Sequence, residues 1–218
     1  MTGNLMQTAH NITIVTPSRP DRAEFLAECV QSVQLQTVLP AEHLILIDHR
    51  YEGCYPTVNR LLSKVRTEFI QFLSDDNLLY SNHIATVREF TADNDLIYTY
   101  SDVTGRNINW NYPFSAEKLK RGNFINEPLI RMSSLMAASD KTCGGFDTTD
   151  CLGDWKLYMR MLENGSRFKC VPTKTFKFRY HADNYSTEHL NADANAVIVA
   201  VSEPKDPVWH VKQLKDRH

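Results

Sequence analysis

The 218 residues include 24 basic and 26 acidic side chains, for a formal net charge of −2, and 42% of the chain is hydrophobic. This is the composition of an ordinary globular protein with one substantial core, and it gives no global reason to expect a nucleic-acid or membrane surface. No segment approaches the roughly 20 apolar residues of a membrane span, and the N-terminus shows no secretion signal, so we expect one cytoplasmic domain over residues 1–218. The five cysteines are scattered and contain no CxxC pair, which favours reduced thiols.

The first half of the chain repeats one pattern. Residues 11–17 predict a short strand ended by proline, and residues 21–36 predict a helix with Asp21 as N-cap. The pattern continues with strands at 43–48, 67–73 and 95–102 and helices at 57–65 and 81–90. Strands that alternate with helices indicate an α/β fold, in which a mainly parallel sheet is covered by helices on both faces.

The alternation ends after residue 103. Residues 104–114 are polar, aromatic and rich in asparagine, which favours a loop, and residues 127–139 predict an extended or mixed segment. A glycine-bearing loop at 143–150 precedes a helix at 154–162, and residues 167–171 and 173–181 predict closing strands.

Polar side chains follow the predicted strands, where ligands bind to parallel sheets. They include Thr16, Arg19, Asp48 and Asp102. The stretch FLSDDNLL at 72–79 ends its strand on two adjacent carboxylates, whose mutual repulsion and desolvation are unfavourable without compensation. A solvated turn explains this pattern, and a divalent-metal site is the alternative hypothesis.

Six short motifs in order resemble one family. The series TPSR, LID, FLSDDN, GGFD, GDWKLYMRM and FRYHADNYS is similar to the family 2 inverting glycosyltransferases, which have the GT-A fold, from about residue 11 to about residue 186. The resemblance implies a nucleotide-sugar-binding half at 11–102, an acceptor or catalytic half at 103–186 and a tail at 187–218. It also implies metal-dependent inverting transfer from a nucleotide-diphosphate sugar, with a UDP-sugar as donor, to an acceptor hydroxyl.

The resemblance implies a Mn²⁺ or Mg²⁺ ion at Asp76, with His181 as a second ligand. Such cations take oxygen ligands and stabilise a leaving diphosphate. Strand alternation places Ser74 and Asp76 on one face and turns Asp75 away, unless the turn begins early. Ser74 stands where the family usually has an acid, and a plain Asp-Asp-Asn turn remains the alternative interpretation.

The resemblance also implies a general base. Asp154, just before Trp155 at the start of a predicted helix, matches the family's base, although Gly153 stands where an acid normally precedes it. Helix capping alone would also explain an aspartate there.

The remaining residues that the resemblance assigns lie on the donor side. The segment that wraps the nucleotide is matched by Thr16, Pro17 and Arg19, and Asp48 matches the residue that binds the base ring. Weaker candidates on this side are Asn59, Ser74 and Asp75.

Two alternatives to glycosyl transfer remain open on the sequence. A nucleotidyltransferase would use the same sheet edge but attack phosphorus, and a non-catalytic sugar-nucleotide or glycan-binding module would fit the departures at Ser74 and Gly153. The acceptor also remains open, and the alternatives are a protein hydroxyl, a growing glycan, a lipid-linked sugar and a modified nucleic-acid base.

Overall fold

A computed structural model describes residues 7–149, 151–182, 184, 198–200 and 209–211. The strands are β1 Gln7–Ser18, β2 Val38–Ile47, β3 Phe69–Phe72, β4 Leu78–Leu79, β5 Leu96–Thr104, β6 Leu129–Arg131, β7 Phe168–Arg179, β8 Ile198–Ala200 and β9 Trp209–Val211. The helices are α1 Ala23–Gln34, α2 Cys54–Leu62, α3 His83–Arg88, α4 Ala116–Arg121, α5 Met132–Ala138 and α6 Gly153–Glu163, and a 3₁₀ turn at Pro20–Arg22 precedes α1. The tail that the sequence sets at 187–218 lies outside the described residues, apart from β8 and β9.

The main sheet has seven strands in the order β2-β1-β3-β6-β5-β7-β4. β1 pairs in parallel with β2 and β3, and β5 pairs in parallel with β7. β6 lies antiparallel between β3 and β5, and β4 is antiparallel to β7. The sheet is therefore mixed, with its long strands parallel. The expected extended or mixed segment at 127–139 contains β6, whereas the sequence pattern did not predict β4.

The sheet separates two apolar layers because successive side chains of a strand point to opposite faces. Val15, Ile70 and Leu96 pack on the face covered by α2, α5 and α6. Their neighbours Ile14, Phe69 and Ile97 pack on the face covered by α1 and α3. Helices on both faces of the sheet are confirmed, and this arrangement leaves the ends of the strands as the place for polar chemistry.

Helix starts were predicted less well than the helices themselves. α1 begins at Ala23 after the 3₁₀ turn, so its N-cap is Arg22 and the expected cap at Asp21 is wrong. The helix expected to begin at Ser81 has Asn82 as its N-cap. The two expected closing strands form one strand, β7, with a shifted register.

Within the described residues, no helix has the length and apolarity needed to cross a membrane. All five cysteines are free thiols.

Candidate active site

Residues 74–77 form a turn just after β3, which ends at Phe72; we call this turn, which contains Asp75 and Asp76, the acidic turn. The amide of Asn77 donates to the carbonyl of Ser74 over 3.1 Å and closes the turn. Both Asp75 and Asp76 are 5% exposed, so neither points to solvent. The expectation that Asp75 turns away is wrong, because strand alternation stops before residue 74.

Arg22 joins the two carboxylates of this turn. Its Nε donates to Oδ1 and Oδ2 of Asp75 over 3.0 and 3.1 Å, and its Nη2 donates to Oδ2 of Asp76 over 2.5 Å. Asp75 also accepts a 2.6 Å bond from the hydroxyl of Ser18. Burial raises the pKa of Asp75, although the bonds from Ser18 and Arg22 favour its charged form.

Two further side chains, which follow the end of β7, contact Asp76. Oδ2 of Asp76 lies 3.1 Å from Nε2 of His181 and accepts a 3.0 Å bond from Nδ2 of Asn184. Asp76 and His181, expected together as metal ligands, therefore do meet. The last two residues of the FRYHADNYS motif, 185 and 186, lie outside the described residues.

Phe25 of α1 packs against the basic groups of this cluster. Its ring stacks on the imidazole of His181 with centroids 4.8 Å apart. The guanidinium carbons of Arg22 and Arg179 lie 5.2 and 4.9 Å from the centroid of the same ring. An aromatic face attracts cations, so this ring helps to fix all three side chains beside Asp76.

A buried glutamate supports the acidic turn from the start of β6. The carboxylate of Glu127 accepts bonds from the backbone N–H of Ser74 over 3.0 Å and from Nδ2 of Asn77 over 2.6 Å. Burial raises the pKa of Glu127 to about 8. Its φ of 46° lies in the left-handed region, which is uncommon for a residue other than glycine and costs on the order of 1–3 kcal/mol.

The residues around Asp76 do not fit a divalent cation in this arrangement. Oδ2 of Asp76 already meets donors from Arg22, His181 and Asn184, which an ion at this oxygen would have to displace. A cation at that oxygen would also stand beside a buried guanidinium and be repelled by it. Among the described residues, no group of three or more His, Cys, Asp and Glu side chains is placed to hold a metal.

Asp154 lies at the start of α6 in a cage of donors. Oδ1 accepts from the hydroxyl of Tyr55 over 3.0 Å and from the amide of Trp155 over 2.7 Å, and Oδ2 accepts from Nδ2 of Asn123 over 2.8 Å. Burial raises the pKa of Asp154 even though these bonds favour the carboxylate. A carboxylate with a raised pKa is suited to accept a proton near neutral pH.

Gly153 has a structural reason to lack a side chain. A Cβ atom at this position would lie 2.3 Å from the carbonyl oxygen of Asp147 and 2.9 Å from Cδ2 of Tyr55. The acid that the family resemblance leads one to expect here would therefore collide with the backbone. Close packing of α6 explains this departure without implying a lost function.

The acidic turn and Asp154 act on the same part of the molecule. The pKa of the Cys54 thiol, at the start of α2, is raised first by burial and then by the charges of Asp154, Asp75, Glu127 and Asp76. Each of these carboxylates is therefore close enough to act electrostatically on one sulfur atom. The expected base and the acidic turn therefore both lie near the start of α2.

The residues expected to wrap the nucleotide divide between interior and rim. The hydroxyl of Thr16 lies 2.8 Å from Nε2 of His43, and Pro17 is buried within β1. Arg19 forms an ion pair with Asp21 at 3.2 Å and lies 5.9 Å from the ring centroid of Tyr51. Of these three, Arg19 is the one placed at the rim of the strand ends.

The structure uses Asp48 and Asn59 to organise the backbone. Asp48 is 2% exposed and accepts from the amides of Arg50 and Gly53 over 3.1 and 2.9 Å, which shapes the loop before α2. Asn59 exchanges two 2.8 Å hydrogen bonds with the N–H and C=O of Phe146. Their expected roles toward a donor remain predictions.

Several residues of this site were not expected from the sequence, among them Arg22, Phe25, Tyr55, Asn123 and Glu127. Arg22 lies four residues after the end of β1, in the 3₁₀ turn, and is therefore not among the residues that directly follow a strand. Glu127 precedes a reversed strand, for which the beginning lies at the ligand edge. Phe25 and Tyr55 lie within helices and Asn123 lies between α4 and β6, where nothing in the sequence marks them.

Comparison with protein-family models and with curated proteins finds no match. Comparison with solved structures finds S. aureus TarS residues 1–349 in complex with UDP-GlcNAc, with a TM-score of 0.63, 11% identity and coverage of 80% of this chain and 60% of that one. The mannosyltransferase PcManGT from Pyrobaculum calidifontis, in complex with GDP-Man and Mn²⁺, has a TM-score of 0.60, 13% identity and coverage of 84% and 64%.

These similarities confirm the fold that the sequence motifs predict, a GT-A-like α/β domain. At 11–13% identity they carry the fold alone. The chain spans about 60% of the length of the structures that it matches.

Proposed function

We propose that this chain is an inverting glycosyltransferase that moves a sugar from a nucleoside diphosphate to an acceptor hydroxyl. The observation that carries the proposal is that Asp154, bound to Tyr55 of α2, and the acidic turn both lie near the start of α2, within a GT-A-like fold. The two similar structures above were solved with UDP-GlcNAc and with GDP-Man, which supports a nucleotide-sugar donor. The UDP-sugar expected from the sequence remains part of this proposal.

In the proposed reaction Asp154 takes the proton of the acceptor hydroxyl. The hydroxyl oxygen attacks the anomeric carbon as the bond from that carbon to the diphosphate oxygen breaks on the opposite side, which inverts the configuration. Tyr55 and Asn123 hold the Asp154 carboxylate in place, and burial raises its pKa toward the range of a general base. General-base catalysis of this kind contributes on the order of 100-fold to 10,000-fold.

The leaving diphosphate needs positive charge near the acidic turn. The Mn²⁺ or Mg²⁺ expected at Asp76 and His181 stays a prediction, and no step of the proposed reaction depends on it, because the described side chains do not fit such an ion. The described cationic groups beside the turn are Arg22 and Arg179. His181 would add positive charge if protonated.

A binding screen followed by product analysis tests this function. Bound ligand stabilises a folded protein by mass action, so UDP, GDP, UDP-GlcNAc and GDP-Man should be compared by thermal shift, with Mn²⁺ and with EDTA. Turnover should then release a nucleoside diphosphate and depend on Asp154. Release of pyrophosphate would instead identify a nucleotidyltransferase, and binding without any turnover would identify a non-catalytic module.

A further inference from the structure

We propose that Arg22 takes the place of a divalent cation at the acidic turn, so that this site binds a nucleoside diphosphate without metal. The proposal rests on the function proposed above for its ligand. The position of the guanidinium between two carboxylates carries it.

The first step is charge neutralisation. Arg22 is 9% exposed, and it contacts both Asp75 and Asp76, each 5% exposed. Two buried carboxylates side by side need a cation, and here a planar guanidinium binds each one through a different nitrogen. A Mn²⁺ ion would neutralise the same two carboxylates. Because Arg22 already does so, the turn does not require the ion in order to fold.

The second step is that Arg22 is built into the fold. The 3₁₀ turn at Pro20–Arg22 starts with a proline of fixed φ and is closed by a 3.1 Å bond from the amide of Arg22 to the carbonyl of Arg19. The ring of Phe25 then lies 5.2 Å from the guanidinium carbon. Because both the backbone and the guanidinium of Arg22 are held in place, the side chain remains near its partners at little further cost in conformational entropy.

The third step concerns the diphosphate. Arg179 donates through Nε to the carbonyl of Asp76 and pairs with Glu28, but among the described residues its Nη2 atom is buried without a hydrogen-bond partner. A phosphate oxygen would satisfy this Arg179 donor, so the cluster offers a cationic nitrogen donor to an anion, whereas a divalent cation seeks oxygen ligands.

Direct metal binding tests the proposal in the absence of nucleotide. Mn²⁺ should be titrated into the full chain and followed by electron paramagnetic resonance for the wild type, Arg22→Gln, Arg22→Lys and the double variant R22Q/D76N. We expect Arg22→Gln to bind Mn²⁺ on the order of tenfold more tightly than the wild type, since its two carboxylates lose their cation. Arg22→Lys keeps the charge and should resemble the wild type, and R22Q/D76N should lose the gain.

Arg160→Gln is the matched control for the loss of an arginine. The Nε of Arg160 donates to the carbonyl of Ala138, away from the acidic turn, so Mn²⁺ binding should not change. Circular dichroism would check that every variant is folded. If Arg22→Gln does not fold, Arg22→Lys and the wild type still decide the matter, because tight Mn²⁺ binding by either one overturns the proposal.

Nucleotide binding supplies the second readout. Calorimetry with UDP and GDP should give the wild type the same affinity in EDTA as in Mn²⁺, and Arg22→Gln should bind more weakly in EDTA and recover with Mn²⁺. A wild type that needs Mn²⁺ to bind nucleotide would overturn the metal-free site and leave the glycosyltransferase proposal standing. A wild type that binds neither nucleotide would remove the proposed function, and the Mn²⁺ titration would still decide whether Arg22 replaces the ion.

Discussion

The hydroxyl of Tyr55 donates a 3.0 Å hydrogen bond to Oδ1 of Asp154. Tyr55 belongs to α2, in the half of the chain expected to bind the nucleotide, and Asp154 begins α6, in the half expected to bind the acceptor. This bond therefore joins the proposed base directly to the donor side. It also gives the proposed mechanism its first tests.

Replacing Asp154 by asparagine should keep nucleotide binding and lower transfer by about 100-fold to 10,000-fold, because an amide cannot take the proton. The amide also turns an N–H₂ group toward one of the three donors that surround the carboxylate. We therefore expect a loss of stability of about 1–3 kcal/mol. Initial rates and urea unfolding would measure the two effects separately.

A double exchange separates chemistry from hydrogen bonding at this position. In the variant N123D/D154N the new carboxylate at residue 123 can accept from the amide at residue 154 and still accept from the backbone N–H of Ile125. Stability should then recover while transfer stays low. Recovery of stability without recovery of turnover would assign the lost activity to the missing base rather than to the lost hydrogen bonds.

Replacing Tyr55 by phenylalanine should move the acidic limb of the pH–rate profile to higher pH. The hydroxyl bond favours the charged form of Asp154 and so lowers its pKa, and its loss raises that pKa further. Since the base must be ionised to act, activity then begins at a higher pH. Tyr98→Phe is the matched control, because it removes a buried hydroxyl that donates to the carbonyl of Tyr112; an equal change in both profiles would contradict the assignment.

Replacing either carboxylate of the acidic turn by asparagine should destabilise the protein to a similar extent. Asp75 and Asp76 share the buried guanidinium of Arg22, so each change leaves it with one charged partner and should cost about 1–3 kcal/mol. Asp93→Asn is the control, since its side chain is 87% exposed and its pair with Arg167 spans 3.9 Å. That control should change stability by less than about 0.5 kcal/mol. A similarly small effect of Asp75→Asn would contradict the buried ion pair between Asp75 and Arg22.

Glu127 should make stability depend on pH. Its pKa is raised by burial from 4.5 to about 8 in the folded protein, so the folded state binds more protons than the unfolded state between these values. The contribution is fully present below pH 4.5 and is lost as pH rises through about 8. Glu127→Gln lacks this titration, so its stability deficit relative to the wild type should shrink from pH 5 to pH 8, a range set by those values. Urea unfolding at several pH values would measure it, and a constant deficit would refute the assignment.

The parts of the fold that follow from the sequence are those that depend on periodicity. The long strands and the helices α1, α2, α3 and α6 bury one face or both, so the spacing of their apolar residues predicts them. β4 and β6 have only two and three residues, which is too short for any period to show. Their existence depends on pairing with β7, β3 and β5, which are distant in the chain.

The candidate site was predictable where a carboxylate ends a parallel strand, as at Asp76, or begins a helix, as at Asp154. It was not predictable where a role depends on tertiary contacts. The side chain of Arg22 reaches Asp75 across 53 positions of the chain, and Asn123 reaches Asp154 across 31. Local patterns contain no information on such pairs, and the same absence explains why Asp75 was assigned to the wrong face.

The two-point contact between Asn59 and the backbone of Phe146 has a consequence for dynamics. The backbone N–H of Phe146 exchanges with solvent only when its bond to Asn59 opens, and the second bond, to the C=O of Phe146, holds the same amide in place. A Cβ at Gly145 would lie 2.2 Å from that amide oxygen. The loop before α6 is thus fastened to α2 and cannot open as an independent lid. Hydrogen exchange at Phe146 should accordingly follow the slow opening of α2.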